Sequence, residues 1–268
     1  MEVISVGSSS SGNSYIITTA DSTIILDVGL PARRIIEGLE KAGRSPEDVD
    51  AVLITHEHSD HIKSVRAIGR QCPNATFYAS RGTVDKTANF SYIDDERIRY
   101  IAAGEIFAAE NGSAELATFE LNHDAAEPLG FTITADGEKL AVVTDCGVIT
   151  DEIYEAIKDA DMLVLESNHD EHMLMYGEYP YYLKVRIKSD HGHMSNAHAG
   201  ETLAAILEDR EQSGCEKPLR VMLAHLSFHN NAPYFARQTV DEILDDADFE
   251  KDRHYELTIA SKDEITIL

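Results

Sequence analysis

No apolar run in this chain approaches the ~18 residues needed to span a bilayer. The N-terminal MEVISVG has neither a basic opening nor a long apolar stretch. Neither a membrane span nor a secretory leader is expected, and the expected compartment is the cytoplasm. Cysteine is scarce: Cys72, Cys146 and Cys215 are scattered, odd in number and free of CxxC spacing. That disfavours a disulfide framework or a thiolate zinc site and reads as reduced, mostly packed thiols. Basic residues are also few, 23 against 48 acidic, giving a formal charge of −25. Such a balance keeps a chain in solution and opposes broad adhesion to phosphate backbones. A nucleic-acid substrate would have to be held by metal ions and a local basic patch. Much of the acidic excess sits in blocks such as DEILDDADFEKD (241–252), expected on a solvated helix face or tail. Low-complexity linkers and fixed-period repeats are missing too.

What the chain does have is a hydrophobic fraction of 43% over 268 residues, enough for a substantial core. It is concentrated in short runs, each ending in a polar or titratable residue: TIILD (23–27), AVLITH (51–56), LAVVTD (140–145), MLVLES (162–167) and VMLAH (221–225). Runs this short and rich in Val, Ile and Leu read as strands buried on both faces. Helical patterns lie between them. PARRIIEGLEKAG (31–43) opens on Pro31 and spaces Ile35, Ile36 and Leu39 on one face. Another helix follows Ser195 as N-cap, with Ala199, Leu203, Ile206 and Leu207 aligned. Residues 97–144 read instead as strands with Gly turns, Asp136-Gly137 marking a hairpin. SSSSGN (8–13) reads as a turn with exposed hydroxyls and amides. The sum is a sheet-rich α/β chain that delivers polar residues at strand ends, where ligand sites gather.

At the end of the second run stands THEHSDH, with His56, His58, Asp60 and His61. Alternation throws His56 and His58 to one side, while Asp60 and His61 fall where a helix begins. Imidazoles with a carboxylate suit zinc, or manganese and iron where oxygen donors weigh more. Other strand ends supply further donors: His123 in LNHDA, Asp145 in VVTDCG and His225 in MLAHLS. Each of these alone reads equally as a packed histidine or a turn aspartate; beside THEHSDH the metal reading prevails.

With these residues in order, the sequence resembles the metallo-β-lactamase superfamily, whose signature is HxHxDH followed by a later His, Asp and His. The resemblance implies a four-layer αβ/βα sandwich of two mixed β-sheets flanked by helices, a single domain over residues 1–268. It further implies that His56, His58 and His123 bind one divalent ion, that Asp60, His61 and His225 bind a second, and that Asp145 bridges. Asp27 in LDVG matches the early Asp that braces the histidine loop. GSSSSGNSY, HDAAEPLGF, TDCGVIT, LESNHD, GHMSN and AHLSFHNN further resemble the YycJ/WalJ-type proteins, regarded as double-stranded DNA exonucleases. Two metals roughly 3.5–4 Å apart would then share a hydroxide for displacement at phosphorus. A redox di-iron role is disfavoured because His58 stands where such proteins carry a carboxylate.

SDHGHMSNAH (189–198) holds three more histidines. By resemblance to transfer-RNA 3′-processing nucleases, Glu166 would orient His193, which would contact phosphate and act as general acid beside Asp60. The alternative for His193 is a plain helix cap. His191 and His198 read as surface residues, and His254 as an ordinary strand residue. His169, in NHDEHM, is a candidate substrate contact; His172 and His229 read as cleft flank and loop. Lys184, Arg186 and Lys188 alternate in YLKVRIKSD and in an extended chain would face a phosphate backbone together; an edge segment or amphipathic helix with solvated charges is the equal alternative. Ser9, Ser10 and Asn13 could cradle a terminal phosphate. The function expected is a dinuclear, zinc-preferring phosphodiesterase acting 5′–3′ on double-stranded DNA. The alternative is a small-molecule ester, lactone or thioester hydrolase using the same metals, which the charge of −25 favours.

Overall fold

The computed structural model describes residues 1–109 and 114–268. The described strands fall into two seven-stranded mixed sheets, with helices between them in the chain. The chain divides into two compact units: Met1–Glu120 with Ala125–Glu138 and Ser261–Leu268, and Leu121–Asp124 with Lys139–Ala260. Among the described residues no helix is long and apolar enough to cross a membrane.

In the first unit β1 (Glu2–Gly7), β2 (Ser14–Thr18) and β3 (Thr23–Leu26) run antiparallel. To β3 are added, in parallel, β4 (Ala51–Leu53), β5 (Thr76–Ala79) and β6 (Ile98–Tyr100), and Thr266–Ile267 pairs with β1. Every side chain of β2 to β5 is buried, as their unbroken apolar runs require. Helix α1 (Ala32–Lys41) starts after Pro31 and drives Ile35 and Leu39 into the core of Val6, Ile16, Ile25 and Val52. Short helices α2 (Ser59–Ile62), α3 (Val65–Gln71) and α4 (Arg81–Asp85) follow β4 and β5. The antiparallel strands β7 (Ile106–Ala108), β8 (Glu115–Glu120) and β9 (Leu129–Ala135) complete this unit, ending at the turn where Asp136 and Gly137 take φ of 56° and 74°.

The loop after β4 and the short helix α2 at its end are clamped by backbone hydrogen bonds to α2. Asn13 N–H donates to Asp60 O (2.8 Å) and Val28 N–H to His61 O (2.8 Å). Gly29 lies so close beneath that a Cβ would fall 1.5 Å from Asp60 O. Gly29→Ala is therefore expected to displace this loop and cost about 1–3 kcal/mol of stability. Urea unfolding measures the loss, and an unchanged midpoint would refute the clamp.

The second unit carries four parallel strands, β10 (Glu138–Val143), β11 (Met162–Glu166), β12 (Leu219–Ala224) and β13 (Tyr255–Ile259). Parallel neighbours require crossovers, supplied by α5 (Asp151–Ile157), α6 (Glu171–Tyr176), α7 (Tyr181–Ile187), α8 (Asn196–Gln212) and α9 (Pro233–Asp246). Ser195 caps α8 as the sequence indicates, its Oγ accepting from His198 N–H at 3.1 Å. Val143 lies opposite Leu165, and Leu165 opposite Leu223. This register brings Glu166, the last residue of β11, and Asp145 and His225, just past β10 and β12, to one end of the sheet. The acidic block at 241–252 lies on α9 and the turn beyond it. One open reading is resolved here and one expectation fails. YLKVRIK takes the helical form, not the extended one, because Pro180 opens α7. His254 stands in the turn before β13, its Nδ1 accepting from Glu250 N–H at 2.8 Å.

Candidate metal centre

Asp27, one residue past β3, takes φ of 59°, an uncommon conformation for a residue with a side chain. The turn aims its carboxylate at Thr55, whose N–H donates to Oδ1 (2.9 Å) and whose hydroxyl donates to Oδ2 (2.9 Å). His61 Nδ1–H donates to the same Oδ2 at 2.7 Å. Thr55 Oγ1 also lies 3.0 Å from His56 Nδ1, so with its own proton on Asp27 it accepts from that ring. Both imidazoles are thereby fixed as tautomers with the lone pair on Nε2. The rings of His56 and His58 lie 4.6 Å apart and those of His56 and His61 4.2 Å apart. Asp60 Oδ2 stands 3.6 Å from His61 Nε2.

In the second unit Asp145 and His225 also sit one or two residues past their strands with positive φ, 60° and 56°. Backbone strain held at strand ends is characteristic of sites whose surroundings over-determine them. His123 Nδ1–H donates to Gly192 O (3.1 Å), and His225 Nδ1–H to Glu166 Oε1 (2.8 Å). Again Nε2 is left as the donor atom. Those two Nε2 atoms lie 3.7 and 3.5 Å from Asp145 Oδ1. Asp145, Glu166, His193 and His225 together offer donor atoms within 4.8 Å of one another.

The donor sets fit a divalent metal. Ligand bonds near 2.0–2.1 Å in a tetrahedral shell place neighbouring donors about 3.3 Å apart. The imidazole–carboxylate separations of 3.5–3.7 Å approach that edge and exceed a hydrogen bond. Anchoring of Nδ1 by a carboxylate or carbonyl is the support that metal-bound histidines receive.

Glu166 is fully buried and serves two rings. His193 Nδ1–H donates to Oε1 at 2.8 Å, alongside His225, while Cys146 N–H (2.8 Å) and Met194 N–H (3.3 Å) donate to Oε2. Burial would raise the Glu166 carboxyl, but His193 and then His225 reverse this and hold it below the usual carboxylate range. Burial would likewise lower His193, yet Glu166, helped by Asp145, outweighs it and lifts that imidazole above its ordinary value. Burial pushes the Cys146 thiol up to about 12, leaving a neutral packed group as the sequence reading held.

Other expectations are met unevenly. Ser9 and Asn13 are buried, not an exposed cradle: Asn13 Oδ1 accepts from Ser8 Oγ (2.8 Å) and Ser9 N–H (3.1 Å), and its Nδ2 lies 3.2 Å from His61 Nε2. The turn folds inward because Asn13 supplies the bonds its backbone needs; Ser10 stays exposed. Helical spacing breaks up the basic triad. Lys184 Nζ donates to Met175 O and Gly177 O, Arg186 pairs with Asp124 (2.5 Å), and Lys188 lies 3.8 Å from Glu171. His191 is exposed, and His198 half-buried on the first turn of α8. Sequence reading missed Thr55 and Asn168, whose Nδ2 donates to His225 O at 2.9 Å. Both adjoin strand-end runs, and that adjacency was their only signal.

His169 lines a cleft of about 270 Å³ with Lys188, His193, Ser195 and His198. It is buried, its Nδ1 has no hydrogen-bond partner among the described residues, and burial pushes the imidazole down to about 4. The unfolded value is about 6.5, so the unfolded chain binds the extra proton between the two. Stability should fall as pH drops from about 6.5 to 4, by about 3 kcal/mol from this group. Urea melts of His169→Gln should show a shallower acid loss; an identical slope would remove His169 from the account.

Comparison with known proteins agrees with this architecture. A beta-lactamase superfamily domain model matches residues 25–212. The exodeoxyribonuclease WalJ of Streptococcus pneumoniae serotype 2 (strain D39 / NCTC 7466) is 33% identical over 246 residues, 91% of this chain and 88% of that protein. The exodeoxyribonuclease YycJ of Bacillus anthracis is 33% identical over 245 residues, 91% and 89% of the two chains. The crystal structure of the metallo-beta-lactamase fold protein YhfI from Bacillus subtilis aligns over 99% of this chain and 98% of its own, with a TM-score of 0.70 at 17% identity. Its likeness speaks for the fold, the matched domain for the family, and the two long alignments for the branch. The chain belongs to the metallo-β-lactamase superfamily, as a metal-dependent hydrolase of the YycJ/WalJ type.

Proposed function

We propose that the chain is a dinuclear-metal phosphodiesterase, a double-stranded DNA exonuclease working 5′ to 3′ in the cytoplasm, with residues 1–268 acting as one domain. The observation that carries this reading is the Glu166 carboxylate shared by His193 and His225 at 2.8 Å each. It joins the proposed metal ligand His225 to a ring, His193, held ready to give a proton to the leaving group. The names of the relatives, exodeoxyribonucleases at 33% identity, support the same substrate class.

In this reading His56, His58 and His123 hold one ion, Asp60, His61 and His225 the other, and Asp145 both, with Asp27 bracing the loop. Zinc is the ion the imidazole-rich set favours, manganese and iron the alternatives. When bound, the metals supply a water of lowered pKa and polarise a phosphate oxygen. Asp60 accepts the proton of the attacking water. His193, oriented through Nδ1 by Glu166, keeps a proton on Nε2 and passes it to the leaving oxygen, a transfer commonly worth about 10²–10⁴ in rate. Its raised pKa keeps the ring protonated to higher pH.

A single panel tests this: metal-reconstituted protein with 5′-phosphorylated duplex DNA, single-stranded DNA, RNA, a lactone and a thioester. Release of nucleotides from the duplex 5′ end is the expected result. The formal charge of −25 favours the second reading, a small-molecule ester, lactone or thioester hydrolase. Turnover confined to the lactone or thioester would establish that reading and reject the first.

A further inference from the structure

Large exposed side chains are concentrated in the second unit, next to the strand ends that carry Glu166 and His225. On α7, Tyr181 and Tyr182 are 76% and 75% exposed, and Val185 lies beside them one turn on. At 100° per residue these three form one face of the helix, bordered by Lys188 on one side and Arg186 on the other. Buried Ile187 anchors the opposite face. Tyr176, at the end of α6, is 80% exposed and packs tilted against His172, ring centroids 4.4 Å apart. The surface continues into the loop after His225, where Phe228 is 71% exposed. The two parts meet through Tyr179 and His229, whose rings lie 5.6 Å apart.

Charge sets this surface apart. Residues 171–188 carry three basic and two acidic side chains, in a chain where acids outnumber bases 48 to 23. Arg186 remains half-exposed although its Nε bonds to Asp124, so part of its fork faces outward. The face is bordered by two cations, Lys188 and Arg186, which stay 39% and 53% exposed beside their acidic neighbours Glu171 and Asp124. Aromatic faces flanked by Lys and Arg match the chemistry of an unpaired nucleic-acid strand, where bases stack on rings and phosphates follow the cations.

We propose that the Tyr181–Tyr182 face of α7, with Tyr176 and Phe228, is a stacking platform for unpaired bases of a nucleic acid whose end is being hydrolysed. The proposal rests on the phosphodiesterase reading above and deepens it. The platform takes strand separated from the duplex, so the substrate class includes duplex ends with an unpaired extension. Stacking tolerates any base, so the platform would bind without sequence preference.

The test uses the full-length, metal-loaded protein turning over bis(p-nitrophenyl) phosphate, a diester too small to span the platform. A twelve-residue thymidine oligonucleotide and its abasic counterpart serve as competing inhibitors. The wild type is expected to bind the base-bearing strand more tightly than the abasic one. In Tyr181→Ala/Tyr182→Ala, kcat on the small diester should stay unchanged, while the inhibition constant of the thymidine strand rises about 5- to 100-fold, toward the abasic value. Equal inhibition of the wild type by both strands would overturn the platform, as would unchanged inhibition in the variant. A variant altered only in sedimentation would assign the face to protein contact and overturn the proposal as well. Should the protein hydrolyse a thioester and no diester, the same inhibitors are read against thioester turnover. The phosphodiesterase reading then fails by itself, while the strand constants still decide whether the platform exists.

Discussion

His193→Ala is expected to lower kcat about 10²–10⁴-fold on a nucleic-acid substrate while leaving bound metal unchanged. The two readouts separate because His193 lies outside the proposed ligand sets yet shares Glu166 with a proposed ligand, His225. Without its ring, Glu166 keeps three donors, His225 Nδ1–H, Cys146 N–H and Met194 N–H, so the buried carboxylate stays satisfied and the fold stands. The pH profile gives a third readout. A ring that acts in its protonated form supplies full activity below its pKa and loses it as pH rises through that value. Here the value is raised, chiefly because Glu166 outweighs burial, so the alkaline limb should lie on the alkaline side of an ordinary histidine's value. The variant should lack that limb. Metal analysis, single-turnover rates and the pH profile check the three expectations together; a variant that loses its metals would show His193 to be a ligand and sink the general-acid role.

The parts of the fold that are local in sequence were legible. Strand-length apolar runs, Pro31 at the start of α1 and Ser195 at the cap of α8 all state their conformation within a few residues. The donors of THEHSDH were legible for the same reason, being close together on one loop. YLKVRIK stayed ambiguous between strand and helix because alternation at i, i+2, i+4 is a strand signal only where nothing else fixes φ. Pro180 fixes it at the helix start, and Ile187 then finds the core at helical spacing. Ser9 and Asn13 misled because a polar turn reads as exposed unless it supplies its own hydrogen bonds, as Asn13 does. What lay beyond reach was the sharing of partners. The positive φ of Asp27, Asp145 and His225 comes from packing past the strand ends, and no pattern of residue types carries it. The Glu166–His193 pair was foreseen by resemblance, but the second bond from His225 to the same oxygen depends on the parallel register of β11 and β12.

That shared oxygen makes Glu166→Gln the most demanding substitution. The change keeps size and removes charge, but an amide has one acceptor end and one donor end. Glu166 receives donors at both ends, two imidazole N–H groups on Oε1 and two backbone N–H groups on Oε2. Whichever way the amide is turned, its NH₂ faces donors. Facing the backbone, it breaks the anchorage of Cys146 and Met194; facing the rings, it drives His225 to the tautomer with its proton on Nε2, the atom the metal needs. The expected result is a kcat loss of at least 10²-fold, a metal affinity lowered about 10- to 100-fold, and about 1–3 kcal/mol of lost stability from the unsatisfied buried donors. Metal titration, turnover and urea unfolding on one preparation measure all three. Because Glu166 acts on the reaction through His193, the double variant with His193→Ala should have a kcat little below that of Glu166→Gln alone, since groups that work as a unit are non-additive. Fully additive losses would mean the carboxylate and the imidazole work separately, and the short bond between them would be structural only.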